Sequence, residues 1–144
     1  MGLLCDLFVN TREEALAYDA ATAADRDATM ARFSPAQFGG LTSLEFGTLW
    51  AILQNEAWDA RKHMLLDIAF GEDNESWLHQ FQDNYVSTLS KLDATAIDAA
   101  ADGWSRTEEI ASSADDVRPV IEALVRLSKE AISRDLGLYM WGSL

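Results

Sequence analysis

The sequence predicts an α+β fold, a small sheet of a few short strands covered by four to six helices. Three observations lead there. Short apolar runs stand near both ends of the chain, at 2–9 and 136–141. Between them lie helix-start signals followed by apolar residues at helical spacing. No internal repeat or linker-like stretch divides the 144 residues, so residues 1–144 read as a single domain.

The run at 2–9 predicts a first strand. Thr11-Arg-Glu-Glu14 then fits a capping box, in which a threonine hydroxyl and a glutamate carboxylate satisfy free amides at a helix start. The helix is expected to about residue 20. Ala20–Met30 offers little to bury, and the expectation there is an irregular connection. Phe33–Phe38 predicts a second strand, at a sheet edge because Pro35 cannot donate to a ladder. Gly39-Gly40 breaks the chain. Thr42 and Glu45 form a further capping box, with Leu41 and Phe46 at the positions of a hydrophobic staple. The helix that follows is apolar at Leu44, Leu49, Trp50, Ile52 and Leu53.

Residues 58–70 read either way. The expectation is helix to about residue 67, although Met64, Leu66, Ile68 and Phe70 also alternate as a strand would. Trp77–Phe81 predicts a strand with Trp77, His79 and Phe81 on one face. Helix resumes at 83–92. Asp93 caps an alanine-rich helix expected to stop before Gly103. Ser113 or Asp116 caps a long last helix, with Pro119 expected in its first turn. Its apolar stripe is Val117, Val120, Ile121, Leu124, Leu127, Ala131 and Ile132. Residues 136–141 close the chain as a strand, free to lie beside the first one.

Composition bounds the function. Apolar residues make up 49%, but 22 residues are alanine, so the five tryptophans supply the bulk of the core. A chain of this length needs no disulfide or metal to hold it. Cys5, the only cysteine, sits in an apolar run and reads as a small buried hydrophobe. The start lacks basic residues and its apolar run is broken by Asp6, so no signal peptide is expected and the setting is taken as cytoplasmic. Alanine and arginine richness with three lysines suggests a bacterial source.

The net charge is −13, and it is uneven. Residues 67–116 hold twelve acids against two bases, Lys91 and Arg106. Such a field repels nucleic acid and anionic membranes. It could steer a basic protein or collect cations, although a solvated acidic surface that only keeps the protein soluble accounts for it more simply. No phosphate loop, dinucleotide-binding glycine pattern, nucleophile elbow or His-Glu-x-x-His motif is present. No cofactor is implied.

Three groups of residues remain. Trp104 with Asp102, Glu108 and Glu109 offers an aromatic anchor among carboxylates, the pattern of a site for a basic partner. Glu56, Asp59, His63 and Asp67 would align along one face if 56–67 were helical, and His79 could join them around a divalent metal. Against this, one helix supplies a line of ligands rather than a cage, and polar residues at helical spacing usually mark a solvent face. His79 with Asp83 nearby could act as a general base, although a lone histidine is more often structural.

The strand–helix opening, Trp104-Ser-Arg-Thr-Glu-Glu109, the long last helix and Leu138-Tyr-Met-Trp141 together resemble short uncharacterised bacterial proteins of hypothetical families. That resemblance implies no activity, cofactor or partner. The reading favoured by charge is a non-catalytic interaction protein, of the inhibitor or immunity type, that binds a basic protein through its acidic middle. The alternative is a small-molecule or divalent-metal-binding protein, or an enzyme, built on the Glu56–Asp67 stripe and His79.

Overall fold

The computed structural model describes residues 3–110 and 112–144, and these form an α+β fold. Five strands, β1 (Leu4–Asn10), β2 (Ala36–Gly39), β3 (Leu66–Phe70), β4 (Ser76–Gln80) and β5 (Gly137–Ser143), make one antiparallel sheet ordered β2-β1-β5-β4-β3. Helices α1 (Arg12–Ala24) and α2 (Arg26–Phe33) cover one face; α3 (Ser43–Leu53), α4 (Asp83–Ser90), α5 (Ala94–Ser105) and α6 (Ala114–Arg134) cover the other. The first residue of the expected 2–9 strand lies outside the described residues. The terminal strands are neighbours: all seven residues of β1 pair with β5 at the centre of the sheet.

Period-two alternation sorts the strand residues between two cores. Cys5, Leu7 and Val9 of β1, with Leu138 and Met140 of β5, join α3–α6 in the larger core. Phe8, Leu78, Tyr139 and Trp141 face α1 and α2. Trp77 and Phe81 share the larger core, as their spacing predicts, and His79 pairs with Met140 on that same face.

Residues 20–30 are helical, contrary to the expectation of an irregular connection. Asp25 ends α1 with its N–H on the Ala21 carbonyl (2.9 Å), and its carboxylate accepts Ala28 N–H (3.1 Å) to start α2. Few large side chains are needed to hold this pair. Phe33 packs edge-on against Phe8 (5.4 Å between ring centres) and Tyr18 (5.0 Å). The first capping box is half formed. Thr11 Oγ1 accepts Glu14 N–H (3.2 Å), but the Glu14 carboxylate pairs with Arg32 of α2 instead of returning to Thr11.

Strand β2 starts at Ala36 rather than Phe33, because Ser34 adopts left-handed geometry (φ 48°) at the end of α2. It lies at the sheet edge, with Pro35 just ahead of it. Gly40 (φ 74°) turns the chain into α3, where Thr42 N–H donates to Glu45 Oε2 (3.3 Å). Leu41 and Phe46 are both buried in the larger core. Leu44, expected on the apolar face, is exposed.

Helix α3 ends at Leu53, so the expected helix to residue 67 does not exist. Asn55 takes a left-handed conformation (φ 55°), and the chain turns again at Asp59–His63, where His63 N–H donates to the Asp59 carbonyl (2.8 Å). The alternating pattern prevails, and β3 forms at Leu66–Phe70 with a bulge between Asp67 and Ala69. Helix α5 runs through Gly103 instead of stopping before it. A Cβ at Gly103 would lie 3.3 Å from Ile52 Cγ2, so the glycine lets α5 lie close to α3. Ser113 rather than Asp116 caps α6, by accepting Asp116 N–H (3.2 Å). Pro119 therefore falls in the second turn, where it leaves the Asp115 carbonyl without an intrahelical donor. Ile132, assigned to the buried stripe, is exposed.

Candidate functional site

The α5–α6 connection and edge strand β2 enclose a cleft of about 440 Å³. Phe38, Leu41, Ile110, Val117 and Val120 line its floor, and Glu109 and Asp116 stand at its rim. Local bonds shape it. The Thr107 hydroxyl donates to the Trp104 carbonyl (2.7 Å) and Ile110 N–H to the Thr107 carbonyl (3.3 Å), a tight turn that buries Ile110 and leaves Glu108 and Glu109 in solvent. Phe38 is only half buried, so the cleft offers an apolar ring beneath carboxylates.

Trp104 is not part of that surface. It is fully buried, and its indole N–H donates to the Glu45 carbonyl (2.9 Å). The reason is its place on α5: Ala100, Ala101 and Trp104 share the buried face, and the small residues bring that face against α3. The anchor role expected of Trp104 is therefore corrected. The acids named with it keep their exposure. Asp102 pairs with Arg106 (3.0 Å), while Arg118 bridges Asp98 (2.9 Å) and Asp115 (2.8 Å) and ties α5 to α6. Among the described residues, Glu108 and Glu109 join no ion pair.

The strand register gathers further charge. Gly39, Leu4, Ser143 and Ser76 form one row across the end of the sheet, from β2 to β4. The cleft opens at one side of that row. The exposed Glu72, Asp73 and Glu75 stand at the other, in the turn between β3 and β4.

The structure divides the expected metal stripe into two pairs. His63 Nε2 lies 3.8 Å from Glu56 Oε2, and His63 Nδ1 accepts Asp59 N–H (3.0 Å). Asp67 instead sits beside His79, with 3.0 Å between Nδ1 and Oδ1, and the oxygen lies off the line of the ring N–H. The stripe fails because the helix that would align it is a loop and a strand. Among the described residues, no group of three or more His, Cys, Asp or Glu side chains is arranged to hold a metal. His79 answers to Asp67 rather than to Asp83, which starts α4. Burial depresses the His79 pKa below its ordinary value, against the opposing pull of the Asp67 carboxylate.

Two polar groupings had no signal in the sequence. Asp6, buried on β1, accepts a hydrogen bond from Tyr18 (2.7 Å) and pairs with Arg26 (3.2 Å). Asp19 accepts the Trp141 indole N–H (3.0 Å) in a groove beside α1. Each unites residues far apart in the chain, so no spacing could reveal it. Among the described residues, no helix is long and apolar enough to cross a membrane. No protein-family model, curated protein or solved structure matches the chain.

Proposed function

We propose that this chain is a non-catalytic interaction protein, of the inhibitor or immunity type, that binds a basic protein through the cleft between β2 and the start of α6. One observation carries the reading: the exposed Glu109 and Asp116 line a cleft with the half-buried Phe38 at an open sheet edge, and Glu108 is exposed on the adjoining turn. Interfaces concentrate their energy on a few desolvated apolar groups inside a polar rim. The outer edge of β2 also carries backbone donors and acceptors that a partner's extended segment can pair with. Carboxylates without a partner of their own attract lysine and arginine side chains and speed encounter. Neither histidine lines the cleft, and Cys5, paired with Phe38 across β1 and β2, is buried. The reading includes a cytoplasmic setting, supported by a lone thiol that has no disulfide partner.

The test is a photo-crosslinking amino acid at Ser112, which is exposed and lines the cleft, introduced in the producing cell. The expected product is one basic protein. Its capture is lost when Glu108 and Glu109 are both changed to Lys, and in vitro it weakens steeply as salt passes about 0.1 M, where the screening length is about 10 Å. A neutral or acidic product, or capture indifferent to the charge reversal, overturns the reading.

A further inference from the structure

Helices α1 and α2 do not cover the whole of their face of the sheet. Beside α1, over β3 and β4, a groove of about 190 Å³ remains. Leu78 and Trp141, each only 4% exposed, form its floor. Leu16 (49% exposed) stands at its mouth, and Ala69 of β3 adds to its wall. One carboxylate enters this apolar space. Asp19 Oδ1 is occupied by the Trp141 indole N–H at 3.0 Å. Its Oδ2 faces Gly71 and Ser76: the position that a Cβ on Gly71 would take lies 3.4 Å from Oδ2 and 2.0 Å from Ser76 Oγ. Glycine at 71 is thus what allows the hydroxyl and the free carboxylate oxygen to converge.

We infer that this groove is a binding site for a small primary amine with an apolar body, such as an arylalkylammonium. The ammonium would sit against Asp19 Oδ2 and Ser76 Oγ, and the apolar body over Leu78 and Trp141 beside Leu16. Charge selects the ligand class. Asp19 belongs to no ion pair among the described residues, and Arg26, over the Trp141 ring at 5.5 Å, is already paired with Asp6. The neighbouring turn adds Glu72, Asp73 and Glu75, which raise the local concentration of cations and repel carboxylates. A hydrogen bond between ammonium and carboxylate is charge-assisted, and the apolar walls strengthen it. Calcium is poorly served, since it takes six to eight oxygen ligands and only two protein oxygens converge here. Size selects further. The groove is smaller than the roughly 300–1,000 Å³ of sites for drug-sized ligands, so one ring and a short chain fill it. The site is independent of the cleft beside β2.

The probe is phenethylamine, compared with 2-phenylethanol and 3-phenylpropionate by titration of the nitrogen-15-labelled protein. Phenethylamine is expected to move the Trp141 indole N–H and Gly71 amide signals and to bind about tenfold or more tighter than the alcohol, since a charged hydrogen bond is lost with the ammonium. The carboxylate should not bind. Asp19→Asn keeps an oxygen for the Trp141 indole and removes the charge, so it should bring the amine down to the affinity of the alcohol. Leu16→Trp, at the half-exposed mouth, should block the amine and the alcohol alike without touching Asp19. Equal affinity for amine and alcohol, no response at millimolar amine, an amine affinity unchanged in Asp19→Asn, or binding that survives Leu16→Trp overturns the inference.

Discussion

Tyr18 donates its hydroxyl hydrogen to Asp6 across 2.7 Å, and neither side chain reaches solvent. The pair fastens α1 to β1. Arg26 of α2 approaches the same carboxylate from a partly exposed position (3.2 Å), so one buried charge organises both helices of the hairpin. Burial and the Asp6 carboxylate push the Tyr18 phenol far above its ordinary pKa.

Tyr18→Phe keeps the ring against Phe8 and removes only that donor. The expected cost is about 1–3 kcal/mol, because a buried carboxylate is left short of one hydrogen bond. Denaturant titration of the two proteins measures it. A change below about 0.5 kcal/mol would be that of an ordinary surface substitution and would show that the bond does not hold the hairpin.

Leu124 is fully buried at the middle of α6. Leu124→Ala should cost about 2–5 kcal/mol, from lost transfer energy plus the cavity left behind. The same titration reads it.

His79 makes stability depend on pH. Burial lowers its folded-state pKa below the ordinary 6.5, so near that pH the unfolded chain binds the proton more readily than the folded one. Its contribution is complete above 6.5, and stability declines as pH falls from 6.5 toward the lower folded-state value. His79→Gln removes this term. Thermal unfolding from pH 7.5 to 5 should therefore fall less steeply for the variant than for the parent. Parallel curves would show that His79 is not the group responsible.

Cys5 should be inert in the folded protein. Burial first, then the negative charges of Asp6 and Glu45, push its thiol up to about 12. Almost no thiolate exists near neutrality, and no path leads to it. Ellman's reagent at pH 8 should find no reactive thiol in the native protein and one after denaturation in guanidinium. Fast reaction in the native state would contradict its placement in the core.

Legibility followed the range of the interactions. Asp93 caps α5 as the sequence predicts, and Ser113, one of the two caps expected for α6, caps that helix. The Glu45 carboxylate accepts the Thr42 amide hydrogen at the start of α3. These bonds span three residues and so need no tertiary partner. Helix α2 and the loop at 54–65 escaped the reading for the opposite reason. The first depends on Phe33 meeting Phe8 and Tyr18, the second on His63 packing edge-on against Trp50 (5.9 Å). Trp104 did carry a usable signal. Ala100 and Ala101 precede it at helical spacing, and a small-residue face followed by a tryptophan marks close helix packing as readily as a surface anchor.

By itself the sequence determined the fold class, the capped helices, the edge position of the strand after Pro35 and the concentration of acid between residues 67 and 116. All of these rest on periodicity, local capping or composition, which the linear chain carries. Only the tertiary structure decided which side chains share a surface. It sealed Trp104 beneath α3 and separated Asp67 from His63. It also raised Glu109 over Phe38 and aimed Asp19 at Ser76 across the space that Gly71 leaves open. The physical reason is one of geometry. A site is made where strands and helices distant in sequence converge, and their convergence is set by the packing of the two cores against the sheet rather than by any spacing along the chain.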